Sequence, residues 1–324
     1  MNAFVTGASG FTGSHLVRLL NQRGARVRAL VRESSSRSLL EGLDYESVLG
    51  DLGALDDFGP LVDGVDVIFH VAAVYREAKL SDTVYRRVNV EATRRLAHAA
   101  ATQGIPFVYC STCGVHGEVS PPASEESPYN PGDIYQTTKV EAEKALIELR
   151  NEGLRLSILR PVGIYGPGDR RFLKLFRGVA RGRFPMIGKG EVLYHLTHVE
   201  DVVRGLVRGY ESIHEVEGEA FILAGSRYTT IRELVGIIAH QAGVAPPRLR
   251  LPAGPMLAAA ALCEAVCRPL GIEPPLYPRR LDFFLKDRAF DITKAREKLG
   301  WEPQVSLEQG IQRTLEWYRQ RGWL

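Results

Sequence analysis

The sequence has no uncharged stretch long enough to cross a bilayer. Its most apolar segment, 256–266, carries Glu264 and is about half of the ~20 residues that a span requires. No signal peptide is expected, because Met1 runs straight into a strand-like Phe4-Val5 and a glycine turn. Charge of one sign is also lacking: 41 basic against 38 acidic residues leave a net +3, too little to imply nucleic-acid or membrane binding by electrostatics. Cysteine is scarce, with four residues at 110, 113, 263 and 267. Cys110 and Cys113 form a CxxC, but it begins on an apolar strand and has no second ligand pair, so neither metal nor redox use is expected. Cys263 and Cys267 share a helical face with Ala and Leu, and are expected to be buried thiols in a reducing, cytoplasmic compartment. Repeats and low-complexity tracts are absent.

What is present is an alternation of short apolar runs and longer helical patterns. Strands are expected at 3–6, 27–31, 65–72, 107–111 and 156–159, and helices at 11–22, 83–101 and 133–150. The nearly continuous apolar run 65–72 suits a parallel strand buried on both faces. Strands alternating with helices specify right-handed βαβ units and an α/β fold with a parallel, doubly wound Rossmann sheet. From Gly163 onward, segments rich in Pro, Gly and Arg interrupt this rhythm. Residues 1–162, with sheet segments around 195–225, are therefore read as the dinucleotide-binding domain. Residues 163–190 and 226–324 are read as mainly a smaller C-terminal substrate lobe.

Gly7, Ser9, Gly10, Phe11, Thr12 and Gly13 follow the first strand and open the first helix. Glycines let the backbone approach a pyrophosphate, and the helix N-terminus offers unpaired N–H donors and a positive dipole end. The end of the second strand selects the dinucleotide. An acid there suits NAD, but this chain has Val31 followed by Arg32, which favours NADP over NAD. Val71, Ala72 and Ala73 end another strand with small residues, where backbone can lie against a cofactor ribose.

Tyr135 and Lys139 stand one turn apart on a helix. A phenol of pKa ~10 is a poor acid or base at neutral pH, and a neighbouring ammonium lowers that value by favouring the phenolate. The pair suits proton exchange with an alcohol or carbonyl. Thr112, ending a strand about twenty residues earlier, offers a hydroxyl to orient the reacting oxygen.

These residues, taken with others in order, carry a resemblance. TGASGFTG at 6–13, Asp51-Leu52, HVAA at 70–73, Asn89-Val90, Ser111-Thr112, YQTTK at 135–139, Arg160-Pro161, IYGPGD at 164–169, His198-Val199, Asp201-Val202 and LGWEP at 299–303 resemble the extended short-chain dehydrogenase/reductases, the NAD-dependent epimerase/dehydratase family. The resemblance implies a seven-stranded sheet and a catalytic Thr112, Tyr135 and Lys139. Thr112 is preferred to Ser111 because it lies four residues before His116, which replaces the Tyr of a VYG-like motif. The resemblance places Asp51 and Leu52 near the adenine, and Asn89, Pro161 and Val162 in the cofactor site. It also implies a homodimer through helices 83–101 and 133–150.

In motif detail the chain is most similar to dihydroflavonol reductases and 3β-hydroxysteroid dehydrogenases. Gly163 replaces the Asn, and Tyr194 an Arg, that nucleotide-sugar enzymes use for phosphates, although Arg280 keeps a third position. A reductase or dehydrogenase acting on a small-molecule carbonyl or alcohol is therefore favoured over a sugar-nucleotide epimerase that retains its cofactor. Arg170, Arg171, Arg177 and Arg183 are the cations that would serve the epimerase. Cys113, Gly114 and Val115 after Thr112 argue against a dehydratase, and the complete catalytic set argues against a non-catalytic regulator. Val74, Tyr75, Thr112, His116, Gly163, Tyr165, Phe172, Tyr194 and Arg280 are the expected substrate residues. His195 and His198 are expected to be structural.

Overall fold

Seven strands pair side by side, all parallel, in the main sheet of a computed structural model that describes residues 1–75, 80–216, 218–272 and 274–324. In chain order the sheet and its helices are β1 (Asn2–Thr6), α1 (Phe11–Gln22), β2 (Arg26–Val31), β3 (Glu46–Leu49), β4 (Val67–His70), α2 (Ala92–Gln103), β5 (Phe107–Cys110), α3 (Ile134–Leu149) and β6 (Leu156–Pro161). The C-terminal part adds α4 (Leu173–Ala180), α5 (Val199–Glu211), β7 (Ala220–Leu223), α6 (Ile231–Ala242), α7 (Ala253–Cys267), α8 (Pro278–Leu285) and α9 (Leu307–Gln320). The strand order is β7-β6-β5-β4-β1-β2-β3. It reverses between β1 and β4, so the loops leaving these two strands diverge and open a crevice there.

Alternation along β1 divides its side chains between two cores. Ala3 and Val5 join Leu16, Val17 and Leu20 of α1 and Val202, Val203 and Leu206 of α5. Phe4 joins Leu96 and Ala100 of α2 and Ala142 and Leu146 of α3 on the other face. Each of these large aliphatic side chains contributes about 1.5–3 kcal/mol by leaving water. β4, β5 and β6 are buried along their whole length, β4 as the apolar run at 65–72 predicts. A third core joins Phe172 and Phe176 to Ile231, Leu234 and Ile238 and to Ile311, Leu315 and Tyr318.

Two expectations change. The helix expected at 83–101 is a short turn, Asp82–Arg86, then a π-helical turn, Arg87–Glu91, then α2. The inserted residue rotates the face and buries Asn89. Cys263 and Cys267 are only half-buried, because α7 buries Ala260 alone. Cys110 and Cys113 are fully buried free thiols, their pKa values raised by burial, that of Cys110 to about 11. Among the described residues no group of side chains is arranged for a metal, and no helix is long and apolar enough to cross a membrane. His195 bridges Gly225 and Phe290 of the backbone, and His198 caps α5 by accepting from the Glu200 N–H.

Candidate active site

The glycine loop lies in the crevice between β1 and β4. Gly7 has φ +72°, and a Cβ there would stand 2.8 Å from the Ala72 backbone. A Cβ at Gly13 would overlap the Gly7 carbonyl. Both positions therefore require glycine, one for its conformation and one for close approach. Gly10 begins α1 with no side-chain cap and no acidic residue in the first turn, which leaves its N–H groups to an anion. Ser9, Phe11 and Thr12 are half-exposed at the same edge. His15 Nε2 meets the Pro167 carbonyl at 2.8 Å, and Gly168 packs near the Phe11 ring, so the 166–169 loop walls the site. These features fit a dinucleotide pyrophosphate.

Arg32 is exposed just beyond β2, where its carbonyl accepts from Ser35. Asp51 is exposed and turns its Oδ1 onto the Gly53 N–H at 2.9 Å, while Leu52 is buried. Pro161 ends β6 buried, and the Val162 N–H donates to Leu223.

A directional hydrogen-bond chain supports the β4 loop. Thr93 donates to the Asn89 carbonyl, so it must accept from His70 Nε2 at 2.8 Å. His70 Nδ1 then accepts from Thr6 at 2.7 Å, and Thr6 accepts from the Ala72 N–H. Burial first, then Lys139, lowers the pKa of His70 to about 3 and keeps the ring neutral. Asn89 accepts from the Val74 N–H at 2.8 Å and donates to the Val74 carbonyl and to Thr138. Its side chain is thus committed to the protein. Asn89, expected in the cofactor site, spends these side-chain bonds on pinning the loop of Val71, Ala72, Ala73 and Val74 to α3.

Asp133 caps α3 by accepting from the Gln136 N–H at 2.6 Å, which fixes Tyr135 in the first turn. Lys139, 1% exposed, donates to the Cys110 carbonyl at 2.7 Å and stands 4.0 Å from the centre of the Tyr109 ring. Burial lowers its pKa to about 8. Tyr135 is half-buried with its ring edge-on to Tyr75, centroids 4.7 Å apart. Thr112 accepts from the Gly114 N–H at 3.0 Å, leaving its own proton for another acceptor.

Ser111 is committed elsewhere, because it donates to buried Glu143. Arg160 binds Glu143 through two nitrogens, at 3.1 and 2.6 Å, and Tyr129 donates to the same carboxylate at 2.8 Å. Arg160 Nη1 also donates to His116 Nε2 at 3.2 Å, so His116 Nδ1 carries the proton that faces Pro128. His116 is 1% exposed with both nitrogens engaged, which corrects its expected substrate role to a supporting one.

Gly163, Phe172 and Tyr194 do come together. A Cβ at Gly163 would stand 2.9 Å from Leu196, 3.3 Å from the Phe172 ring and 3.4 Å from the Tyr194 ring. Phe283 continues this wall, its ring 4.9 Å from Tyr194. Arg171 lies 5.3 Å from the centre of the Tyr75 ring. Two further expected substrate residues have partners within the protein. Tyr165 is buried, donates to Leu307 and packs on His198. Arg280 lies over Tyr277 and donates to Pro275, while its neighbour Arg279 pairs with Asp133. Sequence reasoning missed Asp133, Tyr109, Glu143 and Phe283. Of these, only Asp133 carries a local signal, an acid directly before a helix.

Residues 3–224 match the model of the NAD dependent epimerase/dehydratase family. The chain is 30% identical to a 4-hydroxy-2-methyl-3-oxo-4-farnesyl-3,4-dihydroquinoline-1-oxide ketoreductase of Stigmatella aurantiaca, over 96% of this chain and 95% of that protein. It is 31% identical to a ceramide reductase of Caulobacter vibrioides, over 99% and 95% respectively. It spans 61% of the length of a 3beta-hydroxysteroid-dehydrogenase/decarboxylase isoform of Arabidopsis thaliana, at 29% identity over 96% of this chain. Among solved structures it is similar to UDP-glucose 4-epimerase of Thermotoga maritima, with TM-score 0.79 and 25% identity over 99% of each chain.

Proposed function

The chain belongs to the NAD dependent epimerase/dehydratase family, and we propose that it is a net oxidoreductase for an apolar carbonyl or alcohol rather than a sugar-nucleotide epimerase. The observation that carries this reading is the enclosure of Gly163 by Leu196, Phe172 and Tyr194. A polar side chain for a diphosphate has no room there, and phosphates left without cationic partners are costly. The names of the ketoreductase and ceramide reductase relatives agree with this substrate class.

A bound nicotinamide supplies or accepts the hydride. In the reducing direction Tyr135 gives its proton to the carbonyl oxygen, Thr112 donates a hydrogen bond to that oxygen, and Lys139 stabilises the phenolate left behind. Lys139 is held for this by the Cys110 carbonyl and the Tyr109 ring. Exposed Arg32, with no acid at position 31, favours NADP. Buried free thiols suit a cytoplasmic protein, and the outer faces of α2 and α3 are the surfaces for a homodimer.

Arg171 above Tyr75 is the feature that favours the epimerase, as a cation beside the reacting region. Cofactor stoichiometry separates the two. Net oxidation of added NADPH by hydrophobic ketones is expected. Tightly retained NAD with interconversion of UDP-sugars, and no net absorbance change, would overturn the reading.

A further inference from the structure

We propose that α7 and the turn after it seat on the surface of an anionic lipid bilayer. A helix on a globular surface turns its charged face to water, and α7 does the reverse. It buries only Ala260, against Ile187 and Leu281. Its outward side carries Leu257, Leu262 and Val266, the latter two 66% and 54% exposed, among exposed alanines. Leu270 and Ile272 in the following turn and Leu249 beside the helix extend the same apolar face. The helix's one charged side chain, Glu264, is turned aside and paired with Arg268 at 2.5 Å. Large exposed apolar patches rimmed by polar groups mark interaction surfaces.

Charge identifies the occupant. Exposed Arg248, Arg250 and Arg268 ring the patch. Residues 245–286 hold six basic side chains against three acidic ones, which is the whole positive excess of a chain of net +3. A second copy seated about a two-fold axis would bring two such basic rims into one interface with no added acidic group. Anionic headgroups neutralise them, each basic residue near such a surface adding attraction. The 15 residues of α7 make a rod about 22 Å long, short of the ~30 Å hydrocarbon core, so the helix lies along the surface. The proposal stands on this face alone and does not depend on the catalytic reading.

The test is co-sedimentation of the full chain with vesicles of phosphatidylcholine, with and without phosphatidylglycerol. The wild type is expected to bind the anionic vesicles and to bind the neutral ones more weakly. Leu257→Glu/Leu262→Glu/Val266→Glu should weaken that binding at least about tenfold while dinucleotide binding and the melting temperature stay unchanged, since all three side chains are exposed. Arg248→Glu/Arg250→Glu/Arg268→Glu should remove the preference for anionic lipid. A wild type left in the supernatant at saturating anionic lipid, or a triple-Glu variant that binds as the wild type does, overturns the proposal. So does a dimer that the triple-Glu substitution dissociates in a protein that ignores vesicles.

Discussion

The ammonium of Lys139 stands 4.0 Å from the centroid of the Tyr109 ring, in a site almost closed to water. Its charge is held there at a cost. The native pKa of about 8 lies below the ordinary 10.5, with burial the main cause. Below pH 8 both the native and the unfolded chain hold the proton, and the penalty is complete. Between pH 8 and 10.5 the native state binds fewer protons than the unfolded state, so stability rises with pH across that window. Lys139→Met in cofactor-free protein should therefore be more stable at pH 7 by about 1–2 kcal/mol, after allowing for the lost hydrogen bond to Cys110. Denaturant unfolding at pH 7 and pH 10 should show the gain shrinking at the higher pH, and turnover should be lost at both.

Tyr135→Phe keeps the ring that packs on Tyr75 and removes only the exchangeable proton. Turnover should fall by about 10²–10⁴-fold, while titration with dinucleotide gives an affinity close to wild type. Undiminished turnover would remove Tyr135 from the chemistry.

Arg32→Asp exchanges a cation for an anion at the exposed end of β2. NADPH binding should weaken by about tenfold or more, and NADH binding should hold or improve. Fluorescence titration of both reduced cofactors reads this directly, and parallel losses would assign the 2′-phosphate contact to another residue.

Glu143→Leu leaves the Arg160 guanidinium buried without its counter-ion. A loss of about 3–5 kcal/mol in denaturant unfolding is expected. Glu143→Leu together with Arg160→Met should recover part of it, because no charge is then stranded. Additive losses in the double variant would contradict the role of Glu143 as a partner.

What was legible in the sequence is what lies close along the chain. The glycine turn between a strand and a helix, and Tyr135 one turn before Lys139, are local patterns whose geometry follows from the helix repeat. The supports of the site are not local. Asn89 reaches Val74 and Thr138 only because a π-helical turn rotates it inward, and nothing in the 83–101 pattern marks the inserted residue. His116 looked like a lining residue because it follows Thr112 closely, yet Arg160, on a different strand, draws it into the interior. Tyr165 failed for the same reason, since Leu307, far along the chain, accepts from its hydroxyl. The apolar composition of 253–267 suggested buried thiols. Composition measures how oily a helix is, and only packing decides which neighbour meets it.

The ion pair between Arg279 and Asp133 joins parts of the molecule that otherwise differ in role. Arg279 lies on α8, which packs against the outward helix α7, and Asp133 closes the first turn of the helix that carries Tyr135. The carboxylate serves two masters, a guanidinium on one side and a helix terminus on the other. Asp133 thus ties the peripheral helix α8 to the first turn of α3.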